Sequence, residues 1–107
     1  MMTPKRFRIR TYRRASLQGT VFFLNDELKA RGFIWNLSPN GCRVDAEREV
    51  PAGTEVSMLL NLPAGGPEIE VHSAVVAWSR GHELGFRIDE IQPLQANRLK
   101  RYLREAS

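Results

Sequence analysis

The chain predicts a small, mainly β domain, a barrel of short strands followed by one C-terminal helix. Three observations lead there. Short runs rich in β-branched and aromatic residues, several of them alternating apolar with polar, recur from Leu17 to Ile88. Clusters of Pro, Gly, Asn, Asp and Ser separate those runs at near-regular intervals, as the turns of a barrel require. Helical periodicity enters only after Pro93. At 107 residues the chain suits a single domain with a modest core.

Taken in order, Leu17–Leu24 reads as a first strand, and Asn25-Asp26 supplies its turn. Lys29–Leu37 alternates charged and apolar residues before Phe33-Ile34-Trp35, and Ser38-Pro39-Asn40-Gly41 is a strong turn signal. Cys42–Asp45 alternates again, and Val50-Pro51-Ala52-Gly53 punctuates the next gap. Glu55–Leu62 is a further strand, closed by Pro63-Ala64-Gly65-Gly66-Pro67. In Ile69–Trp78 the period of two assigns Ile69, Val71, Ser73, Val75 and Ala77 to one face, with Val76 and Trp78 on the other. Ser79-Arg80-Gly81-His82 is a hairpin gap before the strand Glu83–Ile88. Pro93 suits the first turn of the helix, whose apolar side is Leu94, Leu99, Tyr102 and Leu103, with Arg98, Lys100, Arg101 and Arg104 elsewhere on its surface. That apolar side fits against the barrel or against a second copy, so monomer and homodimer are both open.

Charge is unevenly placed. Lys5, Arg6, Arg8, Arg10, Arg13 and Arg14 put six positive charges into residues 1–16 with no acid, while the whole chain is only +4. The expected organisation is a flexible basic arm, 1–16, attached to a mildly acidic domain, 17–107. Such an arm suits a polyanionic partner: a nucleotide, nucleic acid, acidic protein or anionic lipid. The arginines also occupy the place of a leader's apolar region, and the longest apolar run, Ala74–Trp78, is far short of a membrane span. With Cys42 the only cysteine, a cytoplasmic location and no disulfide framework are expected.

Enzymatic chemistry finds little support. His72 and His82 have neither each other nor Cys42 at metal-ligand spacing. Ser38 is not in a nucleophile elbow, Glu68 and Glu70 read as an exposed acidic face, and phosphate-loop and dinucleotide fingerprints are lacking. No enzyme, metal or cofactor is expected. Trp35 and Trp78 read as packing residues.

Two motifs stand out together: Arg10-Thr11-Tyr12-Arg13-Arg14, an Arg-x-x-x-Arg just before the first strand, and Asn36-Leu37-Ser38-Pro39-Asn40-Gly41, an Asn-x-Ser-x-x-Gly at a strand-to-strand turn. Arg6 and Arg10 have the same spacing, so the register of the first motif is open. In this order and separation the pair resembles the PilZ domain, the bacterial receptor module for cyclic di-GMP. Val75–Trp78 followed by Glu83–Ile88 looks like that family's last two barrel strands, and the terminal helix agrees in place. The resemblance covers roughly Arg10 to Leu103.

The resemblance implies a six-stranded antiparallel barrel of split-barrel type, with cyclic di-GMP as ligand. Arg10 and Arg14 would grip guanine and phosphate, while Asn36, Ser38 and Gly41 form the rigid half of the site. Arg13 and Arg43 are further candidates for phosphate. The chemistry is apt: an arginine fork matches guanine N7 and O6 and pairs with phosphate, and the Asn36 carbonyl accepts from guanine N1–H. Gly41 suits a turn with positive φ or a close approach of ligand to backbone. Many family members carry aspartate where this chain has Asn36; losing that charge weakens the hydrogen bond and lowers affinity by roughly tenfold. Ile9, just before the motif, implies one bound ligand in place of a stacked pair. No output domain is evident, so the signal would pass to an effector protein, in motility, pilus, exopolysaccharide or biofilm control. Two alternatives remain: a PilZ-fold interaction adaptor that does not bind nucleotide, and a small β-barrel binding nucleic acid through its basic arm, for which Phe7 and Tyr12 are the arm's only stacking residues.

Overall fold

A computed structural model describes residues 19–63 and 66–106. The Arg-x-x-x-Arg motif, the expected arm and the predicted strand start at Leu17 lie outside them. Six strands, β1 (Gly19–Leu24), β2 (Lys29–Ser38), β3 (Gly41–Ala46), β4 (Glu55–Asn61), β5 (Ile69–Arg80) and β6 (Glu83–Glu90), precede one helix, α1 (Pro93–Ala106). All pair antiparallel in a closed ring, β1-β2-β3-β6-β5-β4, with β1 returning to β4. Closure leaves no strand edge open along the ring. The fold class read from the sequence is the one observed.

The expected turns fall where their residues direct. Asn25 Oδ1 accepts from the Glu27 amide at 2.8 Å and the Asn25 amide donates to Leu28 O at 2.9 Å, closing the β1–β2 connection. Only Gly81 and His82 separate β5 from β6, because Ser79 and Arg80 extend β5 and pair with Leu84 and Glu83.

Inward-facing residues fill the ring as a continuous apolar core. Phe23, Ile34, Met58, Leu60, Leu84 and Leu99 are its largest fully buried members, and Phe23 meets Phe86 edge to face at 5.1 Å. Helix α1 contributes Leu99 to this core, with Tyr102 and Leu103 half-buried beside it; the apolar side of the helix therefore packs on its own barrel. Leu94, expected on that side, is 67% exposed. It lies in the first turn, rotated well away from Leu99 around the helix. Arg98 fixes the helix to the segment before β5 by donating to Glu68 O at 3.1 Å and to Pro67 O.

Alternation in β5 departs from a simple period of two. Ile69 and Val71 are buried, but beyond Ser73 the buried positions are Ala74 and Val76, while Val75 is half-buried and Ala77 exposed. Met58 of β4 pairs with Val71 and Val56 with Ala74, so β5 carries one extra residue against β4 in this stretch, and that bulge exchanges the two faces. Val75 and Ala77 therefore do not continue the face of Ile69 and Val71.

Cys42 faces the core from β3, and burial pushes its thiol from 9.0 up to about 12. Burial penalises the thiolate, so the native thiol is expected to resist an aromatic disulfide reagent at pH 8 and to react fully once urea unfolds the chain. Native labelling as fast as in urea would contradict this. By linkage, the stability from keeping this thiol protonated is intact below the unfolded value near 9 and is lost as pH rises toward 12.

Candidate functional site

The β2–β3 hairpin carries the rigid half of the expected site. Ser38 pairs with Gly41 across a two-residue turn of Pro39 and Asn40. Proline fixes φ near −65° at the first turn position, so the primed turn types that need positive φ there are closed to it. Ser38 Oγ completes the turn, accepting from the Asn40 amide at 3.2 Å and donating to Gly41 O at 3.3 Å. Serine at this position therefore has a structural task as well as any in binding.

Gly41 does not have the positive φ that was one reason expected for it, and the barrel itself demands a glycine here. What approaches its backbone is β6: a Cβ there would collide with the carbonyl oxygen of Phe86. The Asn40 carbonyl, accepting from the Ile88 amide at 2.8 Å, ties the turn to the same strand.

A bulge sets the direction of Asn36. Ile34 pairs with Val44 and Asn36 with Arg43, leaving Trp35 as the extra residue of β2. Ile34 and Trp35 are consequently both buried, and from there outward Leu37 faces the core while Asn36 and Ser38 face solvent. Without the extra residue Asn36 would follow Ala30, Gly32 and Ile34 inward. A second bulge lies across the barrel wall. Val76 pairs with Phe86 and Trp78 with Gly85, so Ala77 is extra and Trp78, two residues from buried Val76, turns outward.

These two bulges shape a groove of about 410 Å³. Asn36, Ser38, Asn40, Gly41 and Arg43 come from the hairpin, and Ala77, Trp78, Gly85 and Arg87 from β5 and β6. Every predicted site residue within the described region is thus gathered in one place; Arg10, Arg13 and Arg14 lie outside that region. Arg43 donates to Glu83 Oε2 at 3.2 Å, and its guanidinium sits 5.9 Å from the centre of the Trp78 ring. Arg80 lies 5.8 Å from the same ring. The Trp78 indole rests over Gly85, where a Cβ would fall inside the ring.

Trp78 and Arg87 are the residues that sequence reasoning missed. Trp35 is buried as expected, at 8% exposure, but Trp78 is 38% exposed and forms a wall of the groove. Arg87 reaches the site because it pairs with Gly41 across β3–β6. Its side chain is largely exposed and donates to Asp89 Oδ1 at 2.9 Å, and this hydrogen bond and the carboxylate's charge raise its pKa. A larger concavity of about 590 Å³ lies over the outer faces of β1, β2 and β4 around half-exposed Phe33, and its lining includes none of the predicted ligand-binding residues Asn36, Ser38, Gly41 and Arg43.

A closed six-stranded barrel with a C-terminal helix, whose open groove is lined by amides, arginines and an aromatic face, defines a small barrel module with a surface site. The chain belongs to the PilZ domain family, whose sequence profile matches residues 8–105. PilZ domains are binding modules, generally receptors for cyclic di-GMP. No curated protein matches the chain. Among the described residues no group of His, Cys, Asp and Glu has the arrangement of a metal site, and no helix is long and apolar enough to cross a membrane.

Proposed function

We propose that this protein is a cyclic di-GMP receptor of the bacterial cytoplasm that passes its signal to an effector protein. The observation that carries this reading is the convergence of Asn36, Ser38, Gly41 and Arg43 with Trp78 in one groove, in a chain that also holds Arg10 and Arg14 ahead of β1. Residues 1–16 act as an arm and the remainder as the barrel that presents the groove.

In this reading Arg10 and Arg14 supply guanidinium forks to guanine N7 and O6 and to phosphate. Asn36 accepts from a guanine N1–H, and Ser38 with Gly41 holds the hairpin that aims it. Arg43, turned toward the groove beside Trp78, adds positive charge for a phosphate, and Arg87 and Arg13 do the same more peripherally. The indole of Trp78 offers a face for a purine, an interaction worth about 1–3 kcal/mol. Binding draws the arm across the groove and changes the surface that an effector meets, a disorder-to-order device.

Trp78→Ala and Asn36→Ala are each expected to weaken cyclic di-GMP binding by roughly tenfold or more, read by displacement of a fluorescent cyclic di-GMP analogue. Binding of single-stranded DNA through the basic arm would instead survive both substitutions and fall steeply with salt. Unchanged displacement curves in both variants would overturn the assignment of the groove.

A further inference from the structure

Given that the groove is a cyclic dinucleotide site, we propose that the base seated against Asn36 is read as a purine in general, so that the protein also binds a cyclic dinucleotide carrying adenine at that position and guanine at the other. Among the described residues that line the groove there is no carboxylate. The nearby acids are directed to arginines, Glu83 to Arg43 at 3.2 Å and Asp89 to Arg87 at 2.9 Å. The neutral polar side chains on the wall are the carboxamides of Asn36 and Asn40 and the Ser38 hydroxyl, and that hydroxyl already bonds within the turn.

The chemistry of the carboxamide decides what it can distinguish. It presents one acceptor and one donor side by side, and rotation about its terminal bond exchanges them. The Watson–Crick edge of guanine offers O6 as acceptor beside N1–H as donor; that of adenine offers N6–H₂ as donor beside N1 as acceptor. One amide satisfies either edge. A carboxylate, acceptor only, would match the adjacent N1–H and N2–H₂ of guanine and would set a lone pair against adenine N1. Stacking on Trp78 is indifferent to the base. Discrimination for guanine then rests on the arginine forks, whose donors meet N7 and O6 of guanine but the N6 amine of adenine, and this constrains only the base they hold. The ligand class is therefore a cyclic purine dinucleotide with at least one guanine.

The test is calorimetric titration of the full chain and of Asn36→Asp with cyclic di-GMP and with the cyclic adenine–guanine dinucleotide. The unsubstituted protein should bind the mixed ligand within ~10-fold of cyclic di-GMP. In Asn36→Asp the preference for cyclic di-GMP should widen at least ~10-fold, by gain on guanine and loss on adenine. Asn36 is exposed on the hairpin, and circular dichroism verifies that the variant keeps the barrel. If the unsubstituted protein prefers cyclic di-GMP by well over ~10-fold, or if the ratio is the same in the variant, the proposal is overturned while the receptor reading stands. Failure of both chains to bind either dinucleotide overturns the receptor reading, and this proposal with it.

Discussion

Replacing Arg10 and Arg14 together by alanine is expected to weaken cyclic di-GMP binding about a thousandfold. Each guanidinium offers a bidentate, charge-assisted contact, and such contacts contribute about 1.5–3 kcal/mol apiece; two of them correspond to roughly 10²–10⁴ in affinity. Both are charged side chains that precede β1 in the sequence, and arginine is rarely a core residue. The thermal unfolding midpoint of the ligand-free protein should therefore stay within a degree or two of its original value. The same design resolves the register of the motif: Arg6→Ala should cost little if Arg10 and Arg14 are the pair, and as much as Arg14→Ala if Arg6 and Arg10 are. Equal affinity in the double variant and the unsubstituted protein would remove the arm from the site.

The second large effect is on the barrel. Gly41→Ala should lower stability by about 2–4 kcal/mol, because the new methyl meets the Phe86 carbonyl oxygen, a backbone atom fixed in β6. Relief requires β3 to move away from β6, weakening the seam that also holds Arg43 against Gly85 and Asn40 against Ile88. A urea titration reads the loss as a lower midpoint at an unchanged slope. Ser38→Ala is the milder companion, deleting two turn hydrogen bonds that are exposed to solvent, and should cost about 1 kcal/mol. If Gly41→Ala unfolds at the same urea concentration as the parent, the close approach of β6 is not what demands glycine.

What the sequence made legible was local. Ser38-Pro39-Asn40-Gly41 declares its turn through proline's fixed φ and serine's hydroxyl, and both act within four residues. The strands declare themselves through a period of two, and the helix through Pro93 and the change of period. The family was legible because two short motifs stand in order, one ahead of that pattern and one at the β2–β3 turn within it. The features that aim the site were not. Trp35, Ser73 and Ala77 sit at bulges, of β2 against β3, of β5 against β4 and of β5 against β6, and a bulge is fixed by how two strands twist against each other, not by the residue that is extra. Assigning faces by strict alternation therefore continued Val75 and Ala77 along the wrong face. The same twist brought Trp78, read from the sequence as a packing residue, out onto the groove. Arg87 was missed for a related reason: it is far from Gly41 in the chain and beside it only through β3–β6 pairing. Leu94 shows the opposite error, in which an apolar residue at a helix start was counted with a face that it does not share.

The most direct measurement is a calorimetric titration of the unsubstituted protein with cyclic di-GMP, with GTP as the control. Saturable binding at one ligand per chain and no response to GTP are the expected results. They would establish a receptor that selects the cyclic dinucleotide over a guanine mononucleotide, with Ile9 ahead of the arginine motif as the expected basis for the single ligand. Absence of heat at several temperatures, together with failure to displace a labelled analogue, would contradict the receptor reading and leave a PilZ barrel that works through protein contacts alone.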